Sequence, residues 1–319
     1  MALYGRPKEG WLDLSTGINP IPYPASDLSP HALTRLPHKT ELTDLIGAAR
    51  AVYRVPAGVS LVATPGTEIA VRLIPLVAPP GEVAVVSPTY GSHAEAWRNA
   101  GHETIEVATP DAVPETAAFA IVGNPNNPDG RTTAPELLAN LAWSLGARGG
   151  FLLVDEAFAD VDESISLFPH LRDLPALVLR SIGKFYGLAG LRLGFVAGPV
   201  ALIERLESLL GDWPISGPAL AVGTAALSDE NWRRATRTRL KEDAARLRRL
   251  IAAHGLAVRG SADLFVLVES ANAPAIHRGL AERGIWTRAF DYNPSWLRVG
   301  LPGNADAFDR LNRGFTEIL

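Results

Sequence analysis

The sequence predicts an α/β protein: a larger domain built on a mostly parallel sheet, followed by a smaller α+β domain. Three observations carry this. Short apolar runs alternate with segments of helical periodicity from about residue 83 to residue 197. Polar residues fall repeatedly where those apolar runs stop, which is where ligands sit in such sheets. Beyond Gly211 the texture changes to one long amphipathic segment followed by short strand-like runs.

Taken in order, residues 1–35 are rich in Pro, Ser and Gly and read as an extended arm. Within it, Leu12 to Pro20 reads as a short strand running into a polar turn. A helix is expected over Glu41–Tyr53, with Leu42, Leu45, Ile46, Ala49 and Val52 at helical spacing. The larger domain is expected to span 36–210. The segment Pro65-Gly66-Thr67-Glu68 opens an apolar helix over Ile69–Val77. A turn of that kind leaves backbone N–H groups free, a ready anion site, although many such turns are only helix caps. Strands are expected at Val83–Ser87, Phe119–Gly123, Phe151–Asp155, Leu177–Ser181 and Leu193–Ala197. Helices are expected at His93–Ala100 and Pro135–Leu145.

The smaller domain is expected over 211–319. Its long helix should run from about Asp229 to Ala253 behind a Ser228 cap, with Trp232, Leu240, Leu247, Leu250 and Ile251 on one side and its many arginines as a solvated face. Strands at Leu264–Val268, Gly284–Thr287 and Trp296–Gly300 should surround a helix over Pro274–Arg283.

Composition narrows the classes. Of the 319 residues, 47% are apolar and 20% charged, as in ordinary globular proteins. A net charge of −4 argues against a general nucleic-acid binder. Without cysteine there is no disulfide, thiolate nucleophile or Cys-based zinc site, and no metal site is expected. No apolar run has the length of a signal-peptide core or a membrane span, so the cytoplasm is the expected location.

The chemistry centres on Ser181-Ile182-Gly183-Lys184-Phe185-Tyr186-Gly187-Leu188-Ala189-Gly190-Leu191-Arg192-Leu193-Gly194. Lys184 stands among small and apolar residues, and desolvation disfavours an ammonium. An unprotonated lysine amine can form a Schiff base with a carbonyl compound. Ser181 and Arg192 can hold a phosphate on that same compound, Arg192 through paired hydrogen bonds. A carbonyl compound carrying a phosphate describes pyridoxal 5′-phosphate (PLP). A Gly-rich turn with a chance surface lysine is the plainer reading of the same stretch. Asp155 ends a strand and can pair with a pyridinium nitrogen, or serve only as a helix cap. The loop Asn124-Pro125-Asn126-Asn127-Pro128-Asp129-Gly130 taken alone is a turn.

Together these motifs resemble the fold-type I PLP-dependent enzymes of the class I/II (aspartate) aminotransferase superfamily. Gly66-Thr67-Glu68, Asn127-Pro128-Asp129-Gly130, Asp155-Glu156-Ala157-Phe158, the Ser181–Gly194 run and Trp296-Leu297-Arg298-Val299-Gly300 stand in that superfamily's order. The resemblance implies a seven-stranded, mostly parallel sheet in the larger domain, with the arm packing on the smaller domain. It implies that Lys184 carries PLP and moves protons, that Asp155 pairs with the ring nitrogen, and that Asn127 bonds the ring hydroxyl. Tyr90 would stack on the ring. Gly66, Thr67, Glu68, Ser181 and Arg192 would bind the phosphate. Arg298 would bind the substrate carboxylate, with Arg288 at the distal end of the substrate. A homodimer is implied as well.

Within the superfamily the nearest groups are the threonine-phosphate decarboxylases of cobalamin biosynthesis and the histidinol-phosphate aminotransferases. The stretch from Leu12 to Pro20 resembles the decarboxylases' N-terminal motif, whose Asn19-Pro20 turn would border a small phosphorylated amino acid. Three positions depart from superfamily habit. Phe158 stands where a tyrosine usually bonds the ring oxygen. Leu36-Pro37 replaces the Tyr-Pro of histidinol-phosphate enzymes. Gly183 replaces a Ser or Thr that donates to phosphate. The implied reaction is decarboxylation of L-threonine O-3-phosphate or, alternatively, transamination of histidinol phosphate or another amino acid. The geometry around Asn19, Arg288 and Arg298 decides between them.

Overall fold

The computed structural model describes residues 4–5, 7–25 and 28–319. Met1, Ala2, Leu3, Arg6, Ser26 and Asp27 of the expected arm lie outside the described residues. In chain order the first elements are β1 (Leu12–Asp13), α1 (His31–Thr34), α2 (Lys39–Tyr53), β2 (Ser60–Thr64), α3 (Thr67–Val77), β3 (Val83–Val86), α4 (Ser92–Asn99) and β4 (Thr104–Val107). Then come β5 (Phe119–Gly123), α5 (Pro135–Gly146), β6 (Phe151–Asp155), β7 (Ala176–Ser181), β8 (Gly194–Gly198), α6 (Val200–Leu210) and α7 (Gly217–Ser228). The last are α8 (Glu230–Ala253), β9 (Ala257–Ala262), β10 (Phe265–Glu269), α9 (Ala273–Glu282), β11 (Ile285–Trp286), β12 (Arg288–Ala289), β13 (Trp296–Gly300) and α10 (Ala305–Ile318).

The chain divides into two compact units. The larger comprises Tyr23–Asn127 and Thr132–Asn231; the smaller takes the chain up to Pro22, Pro128–Arg131 and Trp232–Leu319. The division therefore falls near residue 231 and not at Gly211. The reason is α7, a helix of small and apolar residues that packs on α2 of the larger unit. Likewise only the first part of the arm groups with the smaller unit, where β1 pairs in parallel with β11.

The larger unit holds a seven-stranded sheet in the order β2-β8-β7-β6-β5-β3-β4. Strands β3 to β7 run parallel, and β8 is antiparallel to β7 and β2. Its core follows from the two-residue period of a strand. Val83 and Val85, Phe119 and Ile121, Phe151 and Leu153, Leu177 and Leu179, and Val196 share one face. They pack there with Ala70, Val71 and Ile74 of α3, Trp97 of α4, and Ile203 and Leu206 of α6. The alternate residues Val86, Val122, Leu152, Val154 and Val178 are buried as well, so both faces are covered, as a parallel sheet requires. This explains why these strands read as unbroken apolar runs.

The smaller unit carries a four-stranded antiparallel sheet, β12-β13-β10-β9. Helix α8 buries Thr236, Leu240, Ala244, Leu247 and Ile251 at spacings of three and four. Ser228 is not its cap: it is the last residue of α7, one residue short of α8.

Candidate active site

The carboxyl ends of β5, β6 and β7 carry Gly123, Asp155 and Ser181, aligned by register: Gly123 faces Asp155, and Asp155 faces Leu179. A cavity of ≈ 190 Å³ opens at these ends. It is lined by Thr67, Glu68, Tyr90, Asn127, Asp155, Phe158, Ser181, Gly183, Lys184 and Arg192. All ten were singled out in the sequence, eight as site residues and Phe158 and Gly183 as departures, and they meet in one place within the larger unit. A roomier cavity of ≈ 300 Å³ between α2, β2 and the α6–α7 connection gathers none of them.

Lys184 follows β7 on a turn closed by the Gly187 N–H donating to the Lys184 carbonyl at 3.2 Å. The next two residues, Phe185 and Tyr186, are buried and anchor the turn. Lys184 Nζ lies 5.6 Å from the centre of the Phe158 ring. That ring faces the cavity and offers no hydrogen-bond donor, so the departure from tyrosine removes a polar contact here.

Asp155 is shaped by two donors. His93 Nε2 donates to its Oδ2 at 2.9 Å, and the Ala157 N–H to its Oδ1 at 3.0 Å. Burial alone would push this carboxyl up; His93, the Ala157 amide and the charge of Lys184 outweigh it and hold Asp155 below the usual carboxylate range. Each oxygen keeps spare acceptor capacity toward the cavity. His93 is fully buried, and its Nδ1 makes no hydrogen bond among the described residues. Its role was not legible from the sequence, where a lone histidine on an amphipathic helix reads as core.

The three asparagines of the Asn-Pro-Asn-Asn-Pro loop separate cleanly. Asn124 donates to the carbonyls of Thr133 and Ile165 and accepts from the Thr133 N–H. Asn126 donates to the Pro88 carbonyl and accepts from the Thr89 hydroxyl. Both are buried and hold the loop. Asn127 lines the cavity.

The opposite end is cationic and rich in donors. Gly66 caps α3 with no side-chain hydrogen bond, leaving the first amides of the helix open. Its φ of 85° is accessible to glycine, and a Cβ there would meet Arg192 Nη2 at 2.6 Å. Glycine therefore lets the guanidinium lie against the helix start. Ser181 Oγ accepts from the Gly183 N–H at 3.2 Å. A Cβ at Gly183 would come within 3.1 Å of Ala189 Cα, so the loop backbone fills the space a Ser or Thr would use. Glu68 spends its carboxylate on the Tyr90 hydroxyl at 3.1 Å and Arg72 Nε at 2.9 Å, which leaves its backbone N–H for an anion. Burial pushes the Tyr90 hydroxyl pKa up, and the Glu68 carboxylate adds to this.

The remaining predicted residues belong to the smaller unit. Arg298 on β13 and Arg288 on β12 stand directly opposite each other across the antiparallel pair. Arg298 is buried, donates to the Ser15 carbonyl at 2.8 Å and lies 5.1 Å from the Phe265 ring centre. Burial, together with the charge of Arg288, lowers its pKa to about 10, which still leaves it cationic at neutral pH. Asn19 is buried; its Oδ1 accepts from the Ile21 N–H at 3.0 Å and from Arg239 Nη2 at 2.9 Å. Arg239 is thus an exception to the solvated face expected for the α8 arginines.

Comparison with known proteins shows the family. The family described as aminotransferase class I and II matches residues 34–312. A protein named threonine-phosphate decarboxylase from Sinorhizobium sp is 41% identical over 97% of this chain and 93% of its own length. Another of that name from Pseudomonas aeruginosa is 41% identical over 98% of this chain and 95% of its own. Among solved structures, the histidinol-phosphate aminotransferase of Sinorhizobium meliloti in complex with pyridoxal 5′-phosphate superposes with a TM-score of 0.82 at 21% identity. That likeness covers 99% of this chain and 92% of the other and bears on the fold.

Proposed function

The chain belongs to the class I and II aminotransferase family, with the fold-type I architecture of its PLP-dependent members, and from that premise we propose that it is a PLP-dependent lyase. Its substrate would be L-threonine O-3-phosphate, which loses carbon dioxide to give aminopropanol phosphate for cobalamin biosynthesis. The observation that carries this reading is the 41% identity, over nearly the whole chain, to two proteins named for that decarboxylation.

The donor set fits PLP. An open helix start beside Arg192 and Ser181 suits its phosphate. A carboxylate held deprotonated by His93 suits a protonated ring nitrogen, and Asn127 suits the ring hydroxyl. Lys184, the lysine lining the cavity, suits the carbonyl. When bound, PLP supplies an electron sink for a bond breaking at the amino-bearing carbon of the substrate.

The chain's own residues do the rest. Asp155 keeps a negative charge against the ring nitrogen. Lys184 delivers through Nζ the proton that takes the place of the departing carboxylate. Tyr90, held by Glu68, covers the ring. Arg298 and Arg288 present two guanidinium groups to the anionic ends of the substrate, and Asn19, fixed by Arg239, borders it. We place the enzyme in the cytoplasm as a homodimer. Among the described residues no helix is long and apolar enough to cross a membrane.

The test is to mix PLP-loaded protein with L-threonine O-3-phosphate and follow carbon dioxide and the amine product. Release of both, with PLP retained, is the expected result. Conversion of the cofactor to pyridoxamine phosphate without carbon dioxide would make the chain an aminotransferase instead.

A further inference from the structure

Directly beneath the cavity lies a buried charged cluster that the proposed chemistry does not use. Arg180 is 1% exposed, Glu156 0% and Asp160 1%. Arg180 Nη2 donates to Glu156 Oε2 at 2.7 Å and to Ser166 Oγ at 2.9 Å, and Nη1 to Asp160 Oδ1 at 3.3 Å. Glu156 also accepts from the Ser166 hydroxyl at 2.7 Å and the Leu167 N–H at 2.6 Å. The guanidinium carbon lies 4.8 Å from the centre of the Tyr53 ring and 5.3 Å from that of Phe168.

The positions of these residues in the chain give the cluster its meaning. Glu156 follows Asp155, and Arg180 precedes Ser181. Side chains alternate between the faces of a strand, so Asp155 and Ser181 line the cavity while Glu156 and Arg180 meet on the other side. The Glu156 N–H donates to the Leu179 carbonyl at 3.0 Å, so β6 stays paired to β7 through its last residue and one beyond, while Arg180 and Ser181 pair with β8 alone. The cluster then ties those ends to the Ser166–Phe168 segment as well.

Stability alone does not account for it. Burying ions costs desolvation, and apolar replacements of similar bulk are often as stable or more so. What the cluster adds is a fixed fork geometry, which an apolar contact does not have.

We propose that Arg180 is a positioning residue that, through Glu156 and Asp160, locks the ends of β6 and β7 and so fixes Asp155 relative to Ser181 and Lys184. This rests on the reading of the cavity as a PLP site.

The experiment uses the full chain loaded with PLP and no substrate. It reads the pH titration of the bound cofactor's absorption, cofactor retention on desalting, and thermal unfolding. Arg180→Lys keeps the charge but not the fork. The combined variant Arg180→Met, Glu156→Met, Asp160→Leu removes all three charges at similar bulk. Both are expected to fold and retain PLP, the combined variant with no loss of thermal stability. In both, the titration midpoint should fall by about 1 unit, because a displaced Asp155 supports positive charge at Lys184 less well. A folded, PLP-bearing variant whose midpoint equals the parent's would overturn the proposal, and Arg180→Lys alone decides it where the combined variant does not fold. A parent that takes up no PLP would instead refute the cofactor reading, and the positioning role would fall with it.

Discussion

His93 donates through Nε2 to Oδ2 of Asp155 at 2.9 Å, a contact between residues 62 positions apart. The imidazole is fully buried and the carboxylate faces the cavity, so the histidine sets the charge of a group it stands behind. His93→Phe keeps a ring of similar shape and removes the donor. Burial then pushes the Asp155 carboxyl up with less to oppose it. A hydrogen bond to a charged group contributes about 1.5–3 kcal/mol, so PLP should bind roughly 10-fold to 100-fold more weakly. An absorbance titration with PLP measures this, and His93→Gln should recover part of the loss.

Gly66→Ala places a methyl where Arg192 Nη2 now lies and forces alanine into a φ of 85°. The backbone strain is on the order of 1–2 kcal/mol. The guanidinium must also leave the helix start. The variant should melt several degrees lower and bind PLP, and inorganic phosphate as its probe, more weakly than the parent. Equal phosphate affinity in the two proteins would show that the helix start and Arg192 do not form the anion site.

Arg298→Gln removes a buried guanidinium that stands opposite Arg288. The loss should appear mainly in KM for L-threonine O-3-phosphate. Steady-state kinetics should give a kcat/KM roughly 10-fold to 100-fold lower, the range of one charge-assisted hydrogen bond. The bound-PLP spectrum should not change.

Glu156 and Asp155 are adjacent, yet their carboxyls move in opposite directions. Burial raises Glu156 above its ordinary 4.5, and Asp160 adds to this against the pull of Arg180 and the Leu167 and Ser166 hydrogen bonds. Asp155 is lowered from 3.8. A raised carboxyl holds its proton longer in the folded chain, so stability falls as pH rises from about 4.5 through the folded value. The Asp155 contribution is present above about 3.8 and is lost as pH falls through its lowered value. Glu156→Gln, which still faces Arg180, Ser166 and Asp160, should remove the first slope. Denaturant unfolding at a series of pH values above 4.5 should show the parent losing stability relative to the variant as pH rises.

The parallel strands were legible because their burial on both faces leaves unbroken apolar runs. Phe119–Gly123 and Phe151–Asp155 appear with the boundaries expected, as does Trp296–Gly300 in the antiparallel sheet of the smaller unit. Strand β4, with its exposed or half-buried Thr104-Ile105-Glu106-Val107, carries no such signal at the sheet edge. Helix α7 was missed because its Gly, Ala and Pro content hides a packing face, and that omission moved the expected domain boundary. The cavity residues were legible as ordered motifs, since Lys184, Asp155 and Asn127 each end a strand or follow one. His93, Arg180 and Arg239 were not. Each acts through a partner distant in sequence, His93 through Asp155, Arg180 through Glu156 and Arg239 through Asn19, and only the fold brings those pairs together.

The most direct measurement of the central claim is borohydride reduction of the PLP-loaded protein, followed by peptide mass analysis. The chain has four lysines, Lys8, Lys39, Lys184 and Lys241, so the attachment point is readily resolved. One phosphopyridoxyl group on the peptide bearing Lys184, and none elsewhere, is the predicted result. No adduct, or an adduct on Lys8, Lys39 or Lys241 with Lys184 unmodified, would contradict the assignment of this cavity as the PLP site.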